Sequence, residues 1–586
     1  MQAESITAGT RRQGRPTSPR RLFGAPPTLA VLAILAIPPS FATTRAQEPP
    51  TTKAAPARLR ERVEAVLGTA GFADAHWGLL VVDRKTGEPV FERNPDQLFA
   101  PASVTKLFTT AAALVELGAD HRFQTPVVRR GEVDDKGSLH GDLILIAQGD
   151  LAMGGRTGPD GRLLFKDDDH TYGRGQLVES DPLAGMEHLA REVQAAGIKR
   201  ITGEVIVDDR LFDRAPSSGS GPDRVSPIMI NDNLVDVVIQ AGKAPGEPAT
   251  ASLTPVTDYM SMDAQIETIA ADGEADVQVE SAGPRRFTVR GRVPVGRSAI
   301  VVTHEIDDPA SFARTLLIEA LRRHGVRVDG SPLAGNPVAS LPSPSATKAL
   351  PKVAEYTSPP FREFLRVILK VSHNLHASTL PMLLAARKGE HSLRAGLKRE
   401  GELLKGLGID PRTVSFGGGA GGTSSDMVTP RAAVTLLRAM ADRPDFNAYD
   451  AALPVLGRDG TLAKAVAADS PARGHAHAKT GTFFVRNSLD GGSLMTSKAL
   501  AGYLETATGR QLVFAFFINN VMLDASKSEP EPDPKSKPET KPDRPSPVTT
   551  REAGKLLGKL CEVFYADADA PAASPAGAPE AAAGDK

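Results

Sequence analysis

Ser103 and Lys106 are the first two residues of this chain whose types and spacing could support catalysis. Pro101 favours a helix start, because its missing N–H would be unpaired there, and this start places Ser103 in the first turn. Residues three apart share one helix face, so the amine can reach the hydroxyl. An unprotonated amine could accept the hydroxyl proton while the serine attacks a carbonyl carbon. Taken alone the spacing is common, and a capping serine beside a solvated lysine is the simpler interpretation.

Two later motifs change that balance. Ser372 and Asn374 are separated by one residue, and a predicted strand ends in the motif Lys479-Thr480-Gly481-Thr482. Glycine in a strand lets a ligand approach the backbone closely. S-x-x-K, S-x-N and K-T-G in this order are a known set in penicillin-binding proteins and β-lactamases, where the first serine is the nucleophile. The three motifs together indicate one active site assembled from distant segments.

The elements that must position these motifs indicate an α/β protein of the α+β kind. Hydrophobic patterns predict strands at residues 77–83, 89–92, 475–479, 497–506 and 511–519. They predict helices at residues 57–67, 103–117, 361–375, 377–388, 390–407, 430–443 and 550–565. We expect the first hairpin and the last three strands to form one antiparallel sheet that the helices cover.

A long region of different character separates these parts. Between residues 128 and 345, short strand patterns alternate with turns rich in Gly, Asp and Pro, and helices are predicted at 182–196 and 310–324. We interpret this region as a large, mostly β insertion of one or two subdomains. The main domain is then divided into an N-terminal part, 47–127, and a C-terminal part, 346–566.

The two ends of the chain have unusual compositions. Residues 1–46 contain arginines, then an apolar run, then small residues, which is the order of a secretory signal peptide. We predict cleavage after Ala42 or Ala46 and export to a bacterial periplasm or cell envelope, with no membrane span in the remaining chain. Residues 526–547 and 567–586 are of low complexity, and we predict a disordered loop and a disordered tail.

Composition narrows the functional classes. The formal net charge is −1, so the charge balance predicts no nucleic acid partner. Cys561 is the only cysteine, so no intramolecular disulfide can form. His373 and His376 on one predicted helix could suggest a metal pair, and the acidic run 167–169 could suggest a calcium site. Satisfied histidines and a solvated loop are the more frequent explanations, and we predict neither a metal nor another cofactor.

With these motifs, the chain resembles the D-alanyl-D-alanine carboxypeptidases/endopeptidases of the class C, low-molecular-mass penicillin-binding type. The segments 139–150, 197–203, 208–213 and 453–462 carry the resemblance beyond the three motifs, and the long insertion is itself a family feature. One departure concerns residues 418–423, where the family usually has D-G-S-G-L-S. An Asp and a Ser that would face the cleft are missing, so the resemblance leaves the substrate preference open, while the three core motifs are intact.

The resemblance implies a penicillin-binding/β-lactamase-like transpeptidase fold and a role for each motif residue. Ser103 would attack the carbonyl of the penultimate D-Ala, and Lys106 would be the base, with its pKa lowered by burial and by Lys479. Ser372 would relay a proton to the leaving amine. The backbone N–H groups of Ser103 and Thr482 would form the oxyanion hole. The remaining residues would bind the substrate, with Asn374 on its amide and with Lys479, Thr480, Gly481 and Thr482 at its terminal carboxylate.

The resemblance therefore implies an exported serine peptidase that cleaves peptidoglycan stem peptides and is acylated by β-lactams. Carboxypeptidase and endopeptidase cleavage are both compatible with the motifs, which also leave the oligomeric state open. A β-lactamase on the same fold is one alternative, although the large insertion argues against it. A catalytically silent envelope-binding scaffold is another, and the intact motif residues argue against that.

Overall fold

The structure is a computed structural model that describes residues 57–489, 491–523 and 548–567. The predicted signal peptide, the predicted loop at 526–547 and the predicted tail beyond Asp567 lie outside the described residues. Among the described residues, no helix combines the length and the apolar character needed to cross a membrane.

Eleven α-helices lie in the described part of the chain. They are α1 (Ala57–Leu67), α2 (Thr105–Leu117), α3 (Ala184–Ala195), α4 (Pro309–Arg323), α5 (Pro344–Lys348), α6 (Phe361–Lys370), α7 (Asn374–Ala386), α8 (Leu393–Gly406), α9 (Pro430–Ala441), α10 (Phe446–Ala451) and α11 (Thr550–Asp567). One-turn 3₁₀ helices occur at Ala102–Val104, His170–Tyr172, Asn231–Asn233, Val338–Ser340, Pro411–Thr413 and Gly460–Leu462.

The strands of the first half begin with the predicted hairpin and continue through the inserted region. They are β1 (His76–Asp83), β2 (Pro89–Arg93), β3 (Gln124–Val133), β4 (Ser138–Ile146), β5 (Arg174–Gly175), β6 (Arg200–Ile201), β7 (Val205–Asp208), β8 (Ala215–Pro216), β9 (Arg224–Val225), β10 (Leu234–Gln240), β11 (Thr250–Thr254), β12 (Ser261–Ile269), β13 (Asp276–Ser281), β14 (Arg286–Pro294) and β15 (Ile300–Glu305). The remaining strands are β16 (Arg327–Val328), β17 (Lys352–Thr357), β18 (Val414–Ser415), β19 (Met427–Val428), β20 (Ala476–Arg486), β21 (Ser493–Glu505), β22 (Gln511–Asn519) and β23 (Val521–Leu523).

The main sheet joins the two ends of the described chain. Its strand order is β2-β1-β22-β21-β20, all antiparallel, and the short β23 also pairs with β21. One face packs against α1 and α11, and the other packs against α2 and α9. The predicted α+β architecture, with one antiparallel sheet covered by helices, is therefore confirmed. Helix α2 is buried from Thr105 to Leu114, which explains why its sequence is apolar or small nearly all round.

Strand β20 lies at the edge of this sheet and differs from its prediction. The sequence predicted that the strand would end at the K-T-G motif, but β20 continues to Arg486. The prediction was wrong because the residues after Thr482 are Phe483, Phe484 and Val485, whose β propensity extends the pairing with β21. The motif therefore lies in the middle of an edge strand, with one side of its backbone open.

The prediction of one continuous helix over residues 361–375 is also wrong after Lys370. Helix α6 ends at Lys370, and a new helix, α7, begins at Asn374. Between them Ser372 adopts φ +63°, a left-handed conformation that interrupts helical hydrogen bonding. The S-x-N motif thus occupies the corner between two helices, and its Asn374 is the first residue of α7.

The inserted region contains three larger sheets around a separate apolar core, and β8 and β9 form a fourth, two-stranded sheet. The largest has the order β16-β6-β4-β3-β17, with β7 beside β4, and the others have the orders β11-β10-β15-β5 and β12-β14-β13. The limits predicted at residues 128 and 345 stay a prediction. We propose slightly wider limits, 124 and 357, because β3 and β17 pair with each other at the point where the chain leaves and re-enters the main domain.

Candidate active site

A cleft of about 630 Å³ opens beside the edge strand β20 and brings the three motifs together. The helix corner at residues 371–373, the loop 420–422 and the inserted region contribute to its wall. Among the lining residues are Ser103, Tyr172, Ser220, Asn374, Thr480 and Phe484. The sequence predicted three of these six, and the contributions of Tyr172 and Ser220 from the insertion were missed.

Ser103 lies in the one-turn helix Ala102–Val104 that leads into α2. Backbone N–H groups in a first helical turn have no intrahelical partner, so they can face a ligand. The preceding residue, Ala102, has φ +46°, which is unusual for a residue with a side chain. Strained backbone of this kind concentrates at functional sites, because the surrounding structure must hold it in place. Pro101 precedes this turn, as the sequence suggested.

Lys106 is fully buried and its Nζ contacts three oxygen atoms. Ser103 Oγ lies 2.9 Å away, Asn374 Oδ1 2.7 Å away and the carbonyl oxygen of Ala420 2.7 Å away. The carbonyl of Ala420 and the amide oxygen of Asn374 can only accept hydrogen bonds. In a neutral amine these two acceptors take both N–H groups, and the lone pair is left facing the hydroxyl of Ser103.

The charge state of Lys106 follows from its surroundings. Burial lowers the pKa of its ammonium well below the ordinary value, and the nearby cation Lys479 lowers this pKa further. Asp426 acts in the opposite direction but does not contact the amine directly. A lysine in this environment can be neutral near physiological pH, which is the state a general base requires.

Asn374 is held by the inserted region. Its Nδ2 donates hydrogen bonds to the carbonyl oxygen of Ser220 at 3.0 Å and to Ser220 Oγ at 3.1 Å. Because that carbonyl can only accept, the amide orientation is determined, and Oδ1 must face Lys106. The insertion is therefore part of the site and not an appendage on one side of the fold.

Ser372 contacts the second cation of the cleft. Lys479 Nζ donates to Ser372 Oγ at 3.0 Å and to the carbonyl oxygen of Thr480 at 2.8 Å. Burial lowers the pKa of Lys479 to about 7, with a further contribution from Lys498. Tyr172 Oη donates to the carbonyl oxygen of Val371, so the insertion also supports this corner.

The edge strand β20 presents backbone donors to the cleft. Ala478 N–H donates to the carbonyl oxygen of Pro454 at 2.9 Å, on the side of β20 that faces away from β21. Backbone direction alternates along a strand, so the N–H of Thr482 points to the same open side. The register with β21 shifts only after Phe483, so the alternation holds to this point.

Gly481 allows the nucleophile to lie against this strand. A Cβ atom at this position would come within 2.4 Å of the carbonyl oxygen of Pro101, just before Ser103. Real Cβ atoms do not approach that closely, so the strand and the nucleophile turn could not both keep their places. The glycine of K-T-G is therefore explained by packing.

Lys498 lies behind the cleft, in a small cavity next to β20, and the sequence analysis missed it. It lies on β21 opposite Thr482, and its Nζ donates to Thr482 Oγ1 at 2.8 Å. Burial lowers its pKa to about 8. A register prediction between β20 and β21 could have found it, because cross-strand neighbours of a binding motif lie on the same sheet face.

The departure from the family pattern at residues 418–423 has a clear place in the structure. Gly421 has φ +82°, and a Cβ there would come within 1.9 Å of the carbonyl oxygen of Ala102. The loop therefore passes directly over the backbone of the nucleophile turn. Asp426 holds the loop in this position by accepting from the N–H groups of Gly417 and Thr423, both at 2.8 Å.

A second group of buried charges lies behind the S-x-N corner. Asp232 Oδ2 accepts from Arg156 at 2.7 Å and lies 3.1 Å from His170 Nε2. Arg156 also donates to Asp169 at 2.7 Å, and His170 Nδ1 lies 2.6 Å from Asp236. The predicted solvated loop at 167–169 was wrong for Asp169, which is fully buried because it pairs with Arg156.

The other oxygen of Asp232 faces the two histidines. His373 Nε2 lies 3.1 Å from Asp232 Oδ1, and His376 Nε2 lies 2.8 Å from it. The sequence predicted His373 inside a helix, and this prediction was wrong. His373 instead caps α7, because its Nδ1 accepts from the backbone N–H of His376. We call the set Arg156, Asp169, His170, Asp232, Asp236, His373 and His376 the buried ion cluster.

These ligand types could suggest a metal site, since Asp232, His373 and His376 offer three donor atoms close together. The hydrogen bonds argue against this interpretation. Because Nδ1 of His373 accepts a backbone N–H, a neutral ring carries its proton on Nε2 and has no lone pair to offer there. Arg156 already neutralises the same carboxylate. The residues present therefore do not fit a metal ion.

Comparison with known proteins agrees with this architecture. The D-alanyl-D-alanine carboxypeptidase of Actinomadura sp. (strain R39) is 29% identical over 507 residues, which cover 81% of this chain and 86% of that protein. The crystal structure of penicillin binding protein 4 (dacB) from Haemophilus influenzae matches with a TM-score of 0.60 at 19% identity, and covers 86% of this chain and 98% of its own. A structure of the same protein complexed with a β-lactam matches with a TM-score of 0.59 at 19% identity, over 85% and 98% of the two chains.

The model of one peptidase family matches residues 59–535, which is most of the chain and includes all three motifs. The family is described as the D-Ala-D-Ala carboxypeptidase 3 (S13) family. With the fold, the relatives and this match in agreement, the chain belongs to the D-Ala-D-Ala carboxypeptidase 3 (S13) family of serine peptidases.

Proposed function

We propose that this protein cleaves the peptide bond that follows D-Ala in peptidoglycan stem peptides through an acyl-enzyme on Ser103. The bond is the terminal D-Ala-D-Ala bond if the protein is a carboxypeptidase and a cross-link bond if it is a D,D-endopeptidase, and one cleft could cleave both. The observation that carries the proposal is the environment of Lys106 Nζ, in which two obligate acceptors leave the lone pair for the hydroxyl of Ser103. The same hydroxyl opens to the cleft beside β20.

The first step is acylation. As Ser103 Oγ forms a bond to the carbonyl carbon of the penultimate D-Ala, its proton moves to the lone pair of Lys106. The carbonyl oxygen becomes an oxyanion, which the backbone N–H groups of Ser103 and Thr482 stabilise. Losing one such donor typically costs about 10²–10³ in rate.

The second step is release of the leaving group. The C–N bond breaks as the leaving amine receives the proton that Lys106 took from Ser103, and we assign Ser372 as the group that relays this proton from Lys106 to the amine. Its hydroxyl accepts from Lys479, which leaves its own hydrogen free to be donated. Water then attacks the acyl carbon and gives a proton to the neutral Lys106. The bond between the acyl carbon and Ser103 Oγ breaks, and the same proton passes from Lys106 to Oγ, which regenerates Ser103.

Substrate binding is assigned to the edge strand and to the helix corner. The terminal carboxylate would bind at Thr480 and Thr482, beside the charge of Lys479, and Asn374 would bind the substrate amide. Gly481 keeps the strand close enough for these contacts. No metal or other cofactor enters these steps, because the residues named supply the base, the acid and the donors.

The same cleft would be acylated by penicillins, which carry a reactive amide and a carboxylate. A solved structure of the relative from Haemophilus influenzae contains a bound β-lactam, which supports this extension. Together with the peptide substrate, this chemistry suggests a bacterial envelope location, consistent with the predicted signal peptide at residues 1–46.

The first experiment is incubation of the purified protein with a fluorescent penicillin, beside a Ser103→Ala variant, followed by a denaturing gel. A stable labelled band that is absent in the variant would establish Ser103 as the acylated nucleophile. No band with intact drug would favour the silent scaffold. No band with hydrolysed drug would favour a β-lactamase. Release of D-Ala from a peptide ending in D-Ala-D-Ala would then test the peptidase reaction itself.

A further inference from the structure

Lys498 is a half-buried cation that has no acidic partner within the described residues. Its stem packs beneath α11, where Lys498 Cε would lie 3.3 Å from a Cβ placed on Gly554. Its ammonium makes a hydrogen bond to Thr482 Oγ1 at 2.8 Å. A cation that is partly removed from water without a counter-ion is unfavourable, so such groups are found where an anion binds or where they serve the chemistry of a site.

The direction of this hydrogen bond is determined by chemistry. An ammonium only donates, so Thr482 Oγ1 must accept, and the single hydrogen of its hydroxyl is left to be donated elsewhere. Thr482 is exposed and lines the cleft. The hydroxyl hydrogen is therefore available to a ligand in the cleft, and the neighbouring positive charge strengthens its donation.

Two cations flank the same short stretch of β20 from opposite faces of the sheet. Lys479 lies on the face of the helices and contacts Ser372, while Lys498 lies on the face of α11 and contacts Thr482. Both contribute positive potential at the open edge of the strand. A carboxylate at Thr480 and Thr482 would meet both fields, whereas a neutral group would gain from neither.

We propose that Lys498 is a positioning residue that orients the Thr482 hydroxyl toward the cleft and selects substrates whose leaving D-amino acid ends in a free carboxylate. This inference rests on the proposed function of the cleft. It assigns the preference for a free acid to a residue outside the three motifs. The carboxylate can belong to a leaving D-Ala or to the D-centre of a longer leaving group, because both present the same group to Thr482.

The test compares two peptides that differ only at the leaving end, one terminating in D-Ala-D-Ala with a free acid and one in the C-terminal amide. We expect Lys498→Met, which keeps the apolar stem, to lower kcat/KM for the acid about tenfold, mainly through KM. The same variant should change kcat/KM for the amide peptide by less than about twofold. Lys498→Arg should restore most of the acid preference, because it returns the charge and the donors.

The matched control is Lys555→Met. Lys555 lines the same small cavity behind β20 as Lys498 does, but its ammonium pairs with Glu552 at 2.8 Å. We expect Lys555→Met to leave kcat/KM unchanged for both the acid and the amide peptide. Acylation by the methyl ester of benzylpenicillin, which lacks the carboxylate, reports whether the cleft of each variant is intact.

The outcomes separate this inference from the proposed function. Equal losses for acid and amide in Lys498→Met, or no loss for the acid, would overturn the role of Lys498 while the cleft still functions. A wild-type protein that neither cleaves peptides nor is labelled by penicillin would overturn the proposed function, and this inference with it. A selective loss for the acid, reversed by arginine, would support both.

Discussion

The cleft and the buried ion cluster meet at the S-x-N corner, where Ser372 and Asn374 flank His373, yet the buried charges of the two regions have opposite environments. In the cleft, Lys106 and Lys479 are fully buried and contact only hydroxyl, amide and carbonyl groups. In the cluster, the guanidinium of Arg156 is bonded to the carboxylates of Asp169 and Asp232. Within the part of the chain that the structure describes, no carboxylate contacts the two cleft lysines, whereas the charges of the cluster are paired.

The pKa values follow this division. Burial without a counter-ion lowers the pKa of Lys479 to about 7, so its charge can change near neutral pH. In the cluster, burial alone would lower the pKa of His170, but its hydrogen bonds to Asp232 and Asp236 raise it to about 10. A buried group that is paired with an opposite charge therefore keeps its charge near neutral pH. A buried cation without such a partner has a lowered pKa and can exchange protons there.

The cluster nevertheless serves the cleft. Asp232 lies in a left-handed turn of the insertion, with φ +53°, and reaches His373 and His376 at the start of α7. His373 stands between Ser372 and Asn374 of the S-x-N motif. Burial, together with the neighbouring His376, lowers the pKa of His373 to about 4, so this ring stays neutral as a helix cap. A rigid, paired cluster thus supports a corner whose own groups must remain reactive.

The largest expected effect is on the rate of acylation, when Lys106 in the cleft is replaced. Lys106→Met should slow acylation by a fluorescent penicillin by about 10³, within the range of general-base contributions. The melting temperature should change little, because the cost of burying an amine and the gain of its hydrogen bonds are lost together. Stopped-flow acylation and thermal unfolding measure the two quantities. A variant that keeps more than about a tenth of the rate would show that Lys106 is not the base.

Asp232→Ala, in the buried ion cluster, should mainly lower the free energy of unfolding, in contrast to Lys106→Met, which should mainly lower the acylation rate. It leaves Arg156 and both histidines without their shared carboxylate, and breaking a buried pair typically costs about 3–5 kcal/mol. Urea unfolding measures the change. The control is Asp96→Ala, which removes an exposed pair with Arg431 and should cost less than about 1 kcal/mol. Similar losses for the two variants would contradict the role given to the cluster. Asp232→Asn should lie between them.

The pH dependence of peptide cleavage sharpens the same comparison. The rate should rise with pH as Lys106, with its lowered pKa, loses its proton and becomes a base. It should fall above about pH 7 as Lys479 becomes neutral and no longer attracts the carboxylate. The measurement is kcat/KM between pH 5 and pH 10 for the acid and amide peptides. We expect the fall in kcat/KM above about pH 7 to be about tenfold smaller for the amide peptide than for the acid peptide. An equal fall for the two peptides would contradict the assignment of this fall to Lys479.

The smallest expected effect concerns a third buried charge, Glu400, behind α2. One of its oxygens accepts from Thr109 at 2.9 Å, and the other has no partner among the described residues. Burial raises its pKa to about 8, from about 4.3 in the unfolded chain. Its folded pKa is raised, so its contribution to stability is fully present below about pH 4.3 and is lost as pH rises through about 8.

Glu400→Gln should remove this dependence. We expect the variant to gain on the order of 1–3 kcal/mol over the wild-type protein between pH 5 and pH 8. Chemical denaturation at both pH values measures the difference. A parallel change in both proteins would show that Glu400 already has a partner in solution.

Much of the fold could be predicted because its signals are local. Helix α1, the first hairpin and strand β22 follow from hydrophobic periodicity and turn residues within a few positions. The errors occurred where a local pattern continued across a functional break. The apolar pattern of α6 gives no sign that Ser372 adopts a left-handed backbone, because that conformation depends on the tertiary packing around the corner.

By itself, the sequence determined the types and order of the groups to which the proposed reaction is assigned, and the two causes that lower the pKa of Lys106. These depend on residue chemistry and on spacing within single elements. Only the tertiary structure decided that Asn374 is oriented by Ser220, that Lys498 lies behind Thr482 and that Asp169 is buried against Arg156. Each of those facts depends on contacts between segments far apart in the chain, and such contacts are set by packing and register, which leave no local pattern to read.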